Sequence, residues 1–224
     1  MPKLGIIVAL EQESRLLRGI FPAERIWISG IGKKAYDVVK DISKTGITHL
    51  ICTGTAAALS PGLRKGELIV PSHLLYYITK EKIGVDVDCH EKILTLLADT
   101  NLKTDTLLCY DQIISEPYQK YLLYKETGCI ALDMESFYVL KACLEEGIKF
   151  ICIKSISDTF NMKVPNWISE CLDDCGAILV KNFIKKLILN PLDIAALFSL
   201  TTAFFKVKNS LRYVIRRIYS SFPY

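Results

Sequence analysis

Ala131-Leu132-Asp133-Met134-Glu135-Ser136 and, further on, Ile151-Cys152-Ile153-Lys154-Ser155-Ile156-Ser157-Asp158 decide the fold of this chain. Each begins as a short apolar run that reads as a buried strand; the first leads to a carboxylate at a helix start, Glu135, and the second to one just past the strand end, Asp158. The segment between them, Met134–Gly147, reads as a helix, so the three pieces form a strand–helix–strand crossover. Such a crossover is right-handed and brings both strand ends to the same rim of a parallel sheet, where α/β proteins bind ligands. Glu13 follows the first strand, Leu4–Leu10, in the same way. Three carboxylates converging on one rim are equipment for acid/base work on a small polar molecule.

Outward from that core, strands are predicted at Arg25–Ser29, His49–Thr53, Leu68–Val70, Leu74–Thr79, Thr106–Tyr110 and Cys129–Leu132. Helices are predicted at Glu13–Gly19, Lys33–Lys44, His90–Ala98, Glu116–Glu126 and Trp167–Ile188. Continuous apolar strands alternating with helices predict an α/β fold, a mostly parallel mixed twisted sheet with helices on both faces. Asn190-Pro191 pairs an N-cap residue with proline at the first helical position, so a further helix starts there. Residues 1–189 therefore read as the catalytic domain and 190–224 as a basic amphipathic helical tail. In that tail Val207, Leu211, Val214, Ile215 and Ile218 fall on one helical face.

The composition narrows the function classes. The 224 residues are 50% hydrophobic, enough for a sizeable core. Leu4–Leu10 is too short for a signal peptide, and no apolar run reaches the length of a membrane span. Eight cysteines without a CxxC, Cys171 and Cys175 lacking a nearby histidine among them, read as buried thiols in a cytoplasmic protein. Three histidines without HExxH spacing predict no metal, and no cofactor motif occurs. The net charge of +4 is unevenly spread: residues 181–224 hold eight Lys/Arg against Asp193 alone, leaving the remainder at −3. The basic residues lack a nucleic-acid reading motif, so no nucleic-acid partner is expected.

Singly, each carboxylate has a structural explanation. Glu13 and Glu135 sit near helix starts, where the dipole favours them, and Asp158 or Ser157 caps a turn. Their shared position beyond three different strands sets them apart. Thr53-Gly54-Thr55-Ala56-Ala57-Ala58 is expected as a loop whose amides cradle an anion or a sugar. Gly30-Ile31-Gly32-Lys33-Lys34-Ala35 lacks the third glycine of a dinucleotide fingerprint, and neither a P-loop nor a GxSxG elbow is present.

Five motifs in order, Ile6–Glu13, Ser29–Lys33, Thr53–Leu59, Asp133–Glu135 and Ile156–Asp158, resemble the nucleoside phosphorylase/nucleosidase superfamily. They are most similar to its methylthioadenosine/adenosylhomocysteine nucleosidases. Leu132–Ser136, Ser157-Asp158 leading to Val164-Pro165, and Asn190-Pro191-Leu192 resemble the hopanoid-associated branch. The resemblance covers about residues 1–185. It implies Asp158 as the acid that protonates purine N7 and Glu13 as the group that activates water. It implies Met134 and Glu135 as the ribose clamp, and Ile114 as a backbone reader of the base edge. Thr55, Ala57, Ile113 and Ser157 would complete the substrate site. No cofactor is implied, and a homodimer is.

The chain departs from those enzymes at Ala57-Ala58, where they carry two glycines, and at Ile113, where they often place phenylalanine. Two alternatives to hydrolysis follow. One is phosphorolysis, for which Thr55 with Arg64 is a thin phosphate set; the other is a non-catalytic nucleoside-binding protein. The basic amphipathic pattern of 190–224 suits peripheral contact with an anionic membrane, or packing on the protein itself.

Overall fold

The computed structural model describes residues 3–171 and 179–221. The chain opens with β1 (Leu4–Val8), α1 (Glu11–Leu17), β2 (Ile26–Ile28), α2 (Lys34–Ser43) and the long β3 (His49–Ala58). Shorter elements follow: β4 (Leu68–Ile69), β5 (His73–Tyr76), β6 (Lys82–Gly84), α3 (Val87–Leu96), β7 (Leu102–Lys103) and β8 (Leu107–Cys109). The second half holds α4 (Pro117–Thr127), β9 (Ala131–Asp133), α5 (Ser136–Glu145), β10 (Lys149–Asp158), α6 (Val180–Leu189) and α7 (Ile194–Ser221).

All ten strands join one mixed sheet, with β3 and β10 side by side at its centre and parallel. The apolar runs Leu50-Ile51-Cys52 and Phe150–Ile153 are buried because helices cover both faces. On one face α2 and α5 pack Val39, Ile42, Phe137 and Leu140 onto the sheet. On the other, α1, α3 and α7 bring Leu17, Ile93 and Leu211 against Ile6, Ile51 and Ile153. The predicted three-layer α/β architecture is therefore what forms.

The neighbours of β3 create the site. Along one edge it pairs with β10 over nearly its whole length. Along the other it pairs with β1 only as far as Cys52, and with β9 only from Ala57. Residues 53–56 thus face an opening between two strands that both stop short. The cradle expected over Thr53–Ala58 is strand, not loop, and on the β10 side its amides belong to the ladder.

Two further expectations change. Trp167–Ile188 is not described as one helix: a 3-10 helix spans Asn166–Cys171, α6 begins at Val180, and Cys175 lies outside the described residues. The tail's apolar face is present as predicted, but Val207, Leu211, Val214, Ile215 and Ile218 are all buried against the sheet and its helices. Burying each such side chain contributes roughly 1.5–3 kcal/mol, and a face so covered does not meet a membrane. Arg212 donates to the carbonyls of Leu16 and Arg18 at the end of α1, and Arg217 pairs with Asp99. These two cations are therefore engaged by protein. No helix among the described residues is long and apolar enough to cross a membrane.

Candidate active site

Glu13 lies in the first turn of α1, one turn beyond the end of β1. Its carboxylate reaches back into the opening beside β3. Oε2 accepts from the N–H groups of Ala9 and Leu10, at 3.1 Å each. Oε1 accepts from Thr55 N–H at 2.7 Å and Thr55 Oγ1 at 3.1 Å. The bond to Leu10 is half of a capping box; the bonds to Thr55 tie the helix to β3. Gly54 makes this approach possible. A Cβ there would stand 2.5 Å from Oε1, and its φ of +144° is one that side-chain-bearing residues avoid.

Glu135 is the N-cap of α5, and the N–H of Gly32 donates to its Oε1 at 3.0 Å. Gly32 sits at φ +75°, in the turn after β2. Beneath Glu135, Asp133 caps the helix by accepting from Ser136, and pairs with Lys154 Nζ at 2.8 Å. Both members of that pair are buried. Burial, with the Asp133 carboxylate next in weight, pushes the Glu135 carboxyl up to about 8, against the opposing pull of Lys154 and Gly32 N–H.

Asp158 ends β10 at a register shift. Ile156 pairs with Ala56 but Asp158 with Ala57, so Ser157 is the extra residue of a bulge. Bulges re-aim side chains near active sites. Ser157 Oγ donates to Asp158 Oδ1 at 3.1 Å. On the other oxygen Lys120 Nζ, from α4, donates to Oδ2 at 2.6 Å. Burial raises the Asp158 carboxyl above its ordinary value, although Lys120 and Ser157 pull the other way.

The three carboxylates line one cavity of about 210 Å³, somewhat below the usual size of ligand sites. Glu13, in the helix that follows β1, and Asp158, at the end of β10, flank β3, and Thr55 and Ala57 of β3 lie between. Ile113, Ile114, Met134 and Ser157 also line it, so the carboxylates and the nucleoside-contacting residues named from the sequence all reach this space. Arg64 does not, and no Lys, Arg or His is among the described lining residues. Among the described residues there is also no group of ligands fit to hold a metal.

Sequence reasoning missed Lys120, the Lys154–Asp133 pair and the role of Gly32. Lys120 left no signal in the sequence, since α4 has no apolar stripe to mark its inward face; the structure shows it buried there with Leu123, its neighbour at i+3. A lysine so buried needs a partner.

The depth of Glu135 has a consequence for stability. Its carboxyl ordinarily ionises at 4.5, and here near 8. Between those values the folded protein keeps a proton that the unfolded chain has released, so stability falls as pH rises across that window. Glu135→Gln should remove this part of the slope. At pH 8.5 the variant should melt several degrees above the parent, whereas at pH 4 the two should melt together; equal differences at both values would contradict the account.

A mixed sheet under two helical layers, with a carboxylate-rimmed cavity at its strand ends, defines an α/β protein equipped for acid/base chemistry on a small molecule. Residues 7–185 match the model of the Phosphorylase superfamily, and the chain belongs to that superfamily. It is similar to the 5'-methylthioadenosine/S-adenosylhomocysteine nucleosidase of Buchnera aphidicola subsp. Acyrthosiphon pisum (strain Tuc7). Identity is 26% over 233 residues, covering 85% of this chain and 99% of that one. Two solved structures share the fold. The nucleosidase of the same name from Neisseria meningitidis, in complex with methylthio-immucillin-A, has a TM-score of 0.74 at 16% identity, covering 99% of this chain and 100% of that one. A futalosine hydrolase mutant of Helicobacter pylori strain 26695 has a TM-score of 0.74 at 15% identity, with the same coverage.

Proposed function

We propose that this chain is a purine nucleosidase that hydrolyses the N-glycosidic bond of a 5′-substituted adenosine and releases adenine. The observation that carries the reading is the convergence of Glu13, Glu135 and Asp158 on one cavity, from three separate strand ends. Breaking the bond from ribose C1′ to the purine leaves positive charge on the sugar and a basic leaving group. Asp158 protonates N7 of the purine, so the base departs neutral. Glu13 takes a proton from the attacking water. Its four chain donors fill its acceptor sites, and only the Thr55 hydroxyl can rotate away to admit that water. Glu135 receives the ribose hydroxyls beside Met134, and Ile113, Ile114 and Val164 supply apolar walls for the base. The Glu13 carboxylate also favours the cationic sugar of the transition state.

Hydrolysis is favoured over phosphorolysis because no cationic side chain lines the described cavity, and the hydroxyls of Thr55 and Ser157 alone are a thin set for phosphate. Assembly as a cytoplasmic homodimer belongs to the same reading. Leu132–Ser136 and Asn190-Pro191-Leu192, the motifs resembling the hopanoid-associated branch, add an adenosine bearing a hopane-type hydrocarbon to the candidate substrates.

Chromatography of the purified protein with 5′-methylthioadenosine, S-adenosylhomocysteine and a hydrocarbon-substituted adenosine tests the proposal. Free adenine should appear from at least one substrate at the same rate with and without phosphate. Phosphate-dependent ribose 1-phosphate would identify a phosphorylase; tight nucleoside binding with no base release would identify a binding protein.

A further inference from the structure

Lys120 is the most deeply buried charged residue among the described residues, at 0% exposure, and the chemistry above does not use it. Its ammonium has three protons and three acceptors: Asp158 Oδ2 at 2.6 Å, and the carbonyls of Thr159 and Met162 at 3.0 Å each. Burying a lysine is costly unless it is fully paired. Here the pairing fixes one oxygen of the very carboxyl that faces the ligand cavity. The same three bonds pin residues 159–162, the turn that leaves β10, to α4.

We propose that Lys120 is a positioning residue for Asp158: it anchors Oδ2, leaves Oδ1 beside Ser157 for the purine, and drives proton release by pairing with the carboxylate that release creates. The inference rests on the nucleosidase reading and deepens it. In the step concerned, the proton on Asp158 passes to purine N7, and the electrons of the C1′–N9 bond go to the departing base. Asp158 becomes a carboxylate, and its charge is met at once by the Lys120 ammonium. Water adds to C1′ and its proton passes to Glu13; after the products leave, Glu13 gives that proton to solvent and solvent restores the proton of Asp158. Every atom is accounted for without a further reactant.

The charged groups around Asp158 come from several elements. Lys120 approaches from α4, where the Lys163–Glu116 pair sits exposed at the helix start. Ser157 adjoins it on β10. Glu13 of α1 and Glu135 of α5 line the same cavity, and the Lys154–Asp133 pair lies beneath Glu135. Of these, Lys120 is the cation in direct contact.

Activity requires protonated Asp158, so the rate falls as pH rises through its ionisation. An adjacent cation favours the ionised form, and removing it moves that fall to higher pH. In Lys120→Met the alkaline limb of kcat should therefore move up by about one to three pH units. Its plateau should drop by about tenfold or more, because the acid is weaker and less well held. Lys120→Arg, which keeps the charge, should leave the limb near its parental position. Lys120→Gln, neutral but still a donor to the carbonyls, supplies the comparison if the methionine variant does not fold. A lower plateau with the limb unmoved in the neutral variants would make Lys120 merely structural and overturn the proposal.

The unliganded protein provides a second readout. Carboxyl-13C NMR with labelled aspartate, assigned by Asp158→Asn, should show Asp158 titrating at higher pH in the neutral variants than in the parent. Should the parent hydrolyse no nucleoside at all, the proposed function falls, yet the carboxyl titration still decides the coupling to Lys120.

Discussion

Asp158→Asn should lower kcat for adenine release by about 10²–10⁴-fold while leaving substrate affinity within a few-fold of the parent. Lys120 offers a proton to whatever occupies the Oδ2 position, so the new amide must turn its oxygen toward Nζ. Its NH2 group then faces the purine, where it can hydrogen-bond N7 but cannot give up a proton. Binding survives, and catalysis does not. Removing the anion also leaves the buried ammonium with three neutral acceptors and no counter-charge, at a cost of up to about 3–5 kcal/mol. Assays belong well below the variant's melting temperature. Turnover at the parental rate in folded Asp158→Asn would remove this carboxyl from the mechanism.

Glu13→Gln should be comparably damaging and should also loosen the fold. Both carboxylate oxygens accept backbone N–H groups, Ala9 and Leu10 on one side and Thr55 on the other. A glutamine has one acceptor and one donor end. Whichever way it turns, its NH2 group meets an N–H that has lost its acceptor, costing about 1–3 kcal/mol. With the base also gone, kcat should fall by about 10²–10⁴-fold. Thermal melts beside single-turnover rates separate the two effects, since a loss of rate with no loss of stability would mean that these bonds do not hold the helix to β3.

Some elements of the fold are written plainly in the sequence and others are not. Strands β1, β3 and β10 were legible because unbroken apolar runs mark strands buried on both faces. The carboxylates were legible because strand ends in such a sheet share a rim. Strands β6 and β7, of three and two residues, were missed because so short a segment has no periodicity to read. Thr53–Ala58 looked like a loop because of its glycine and small residues. It is strand, and Gly54 is there so that a carboxylate can come within contact of the backbone.

The sequence by itself determined the three-layer class, the rim on which Glu13, Glu135 and Asp158 stand, and the apolar face of α7. Hydrophobic spacing records that a face is covered, but not by what. Tertiary structure alone decided that the α7 face meets the sheet, that β1 and β9 stop short on the same edge of β3, and that Lys120 meets Asp158. Those outcomes depend on pairings between residues far apart in the chain. Local propensity carries no record of them, because each is fixed only when the whole sheet has closed around its core.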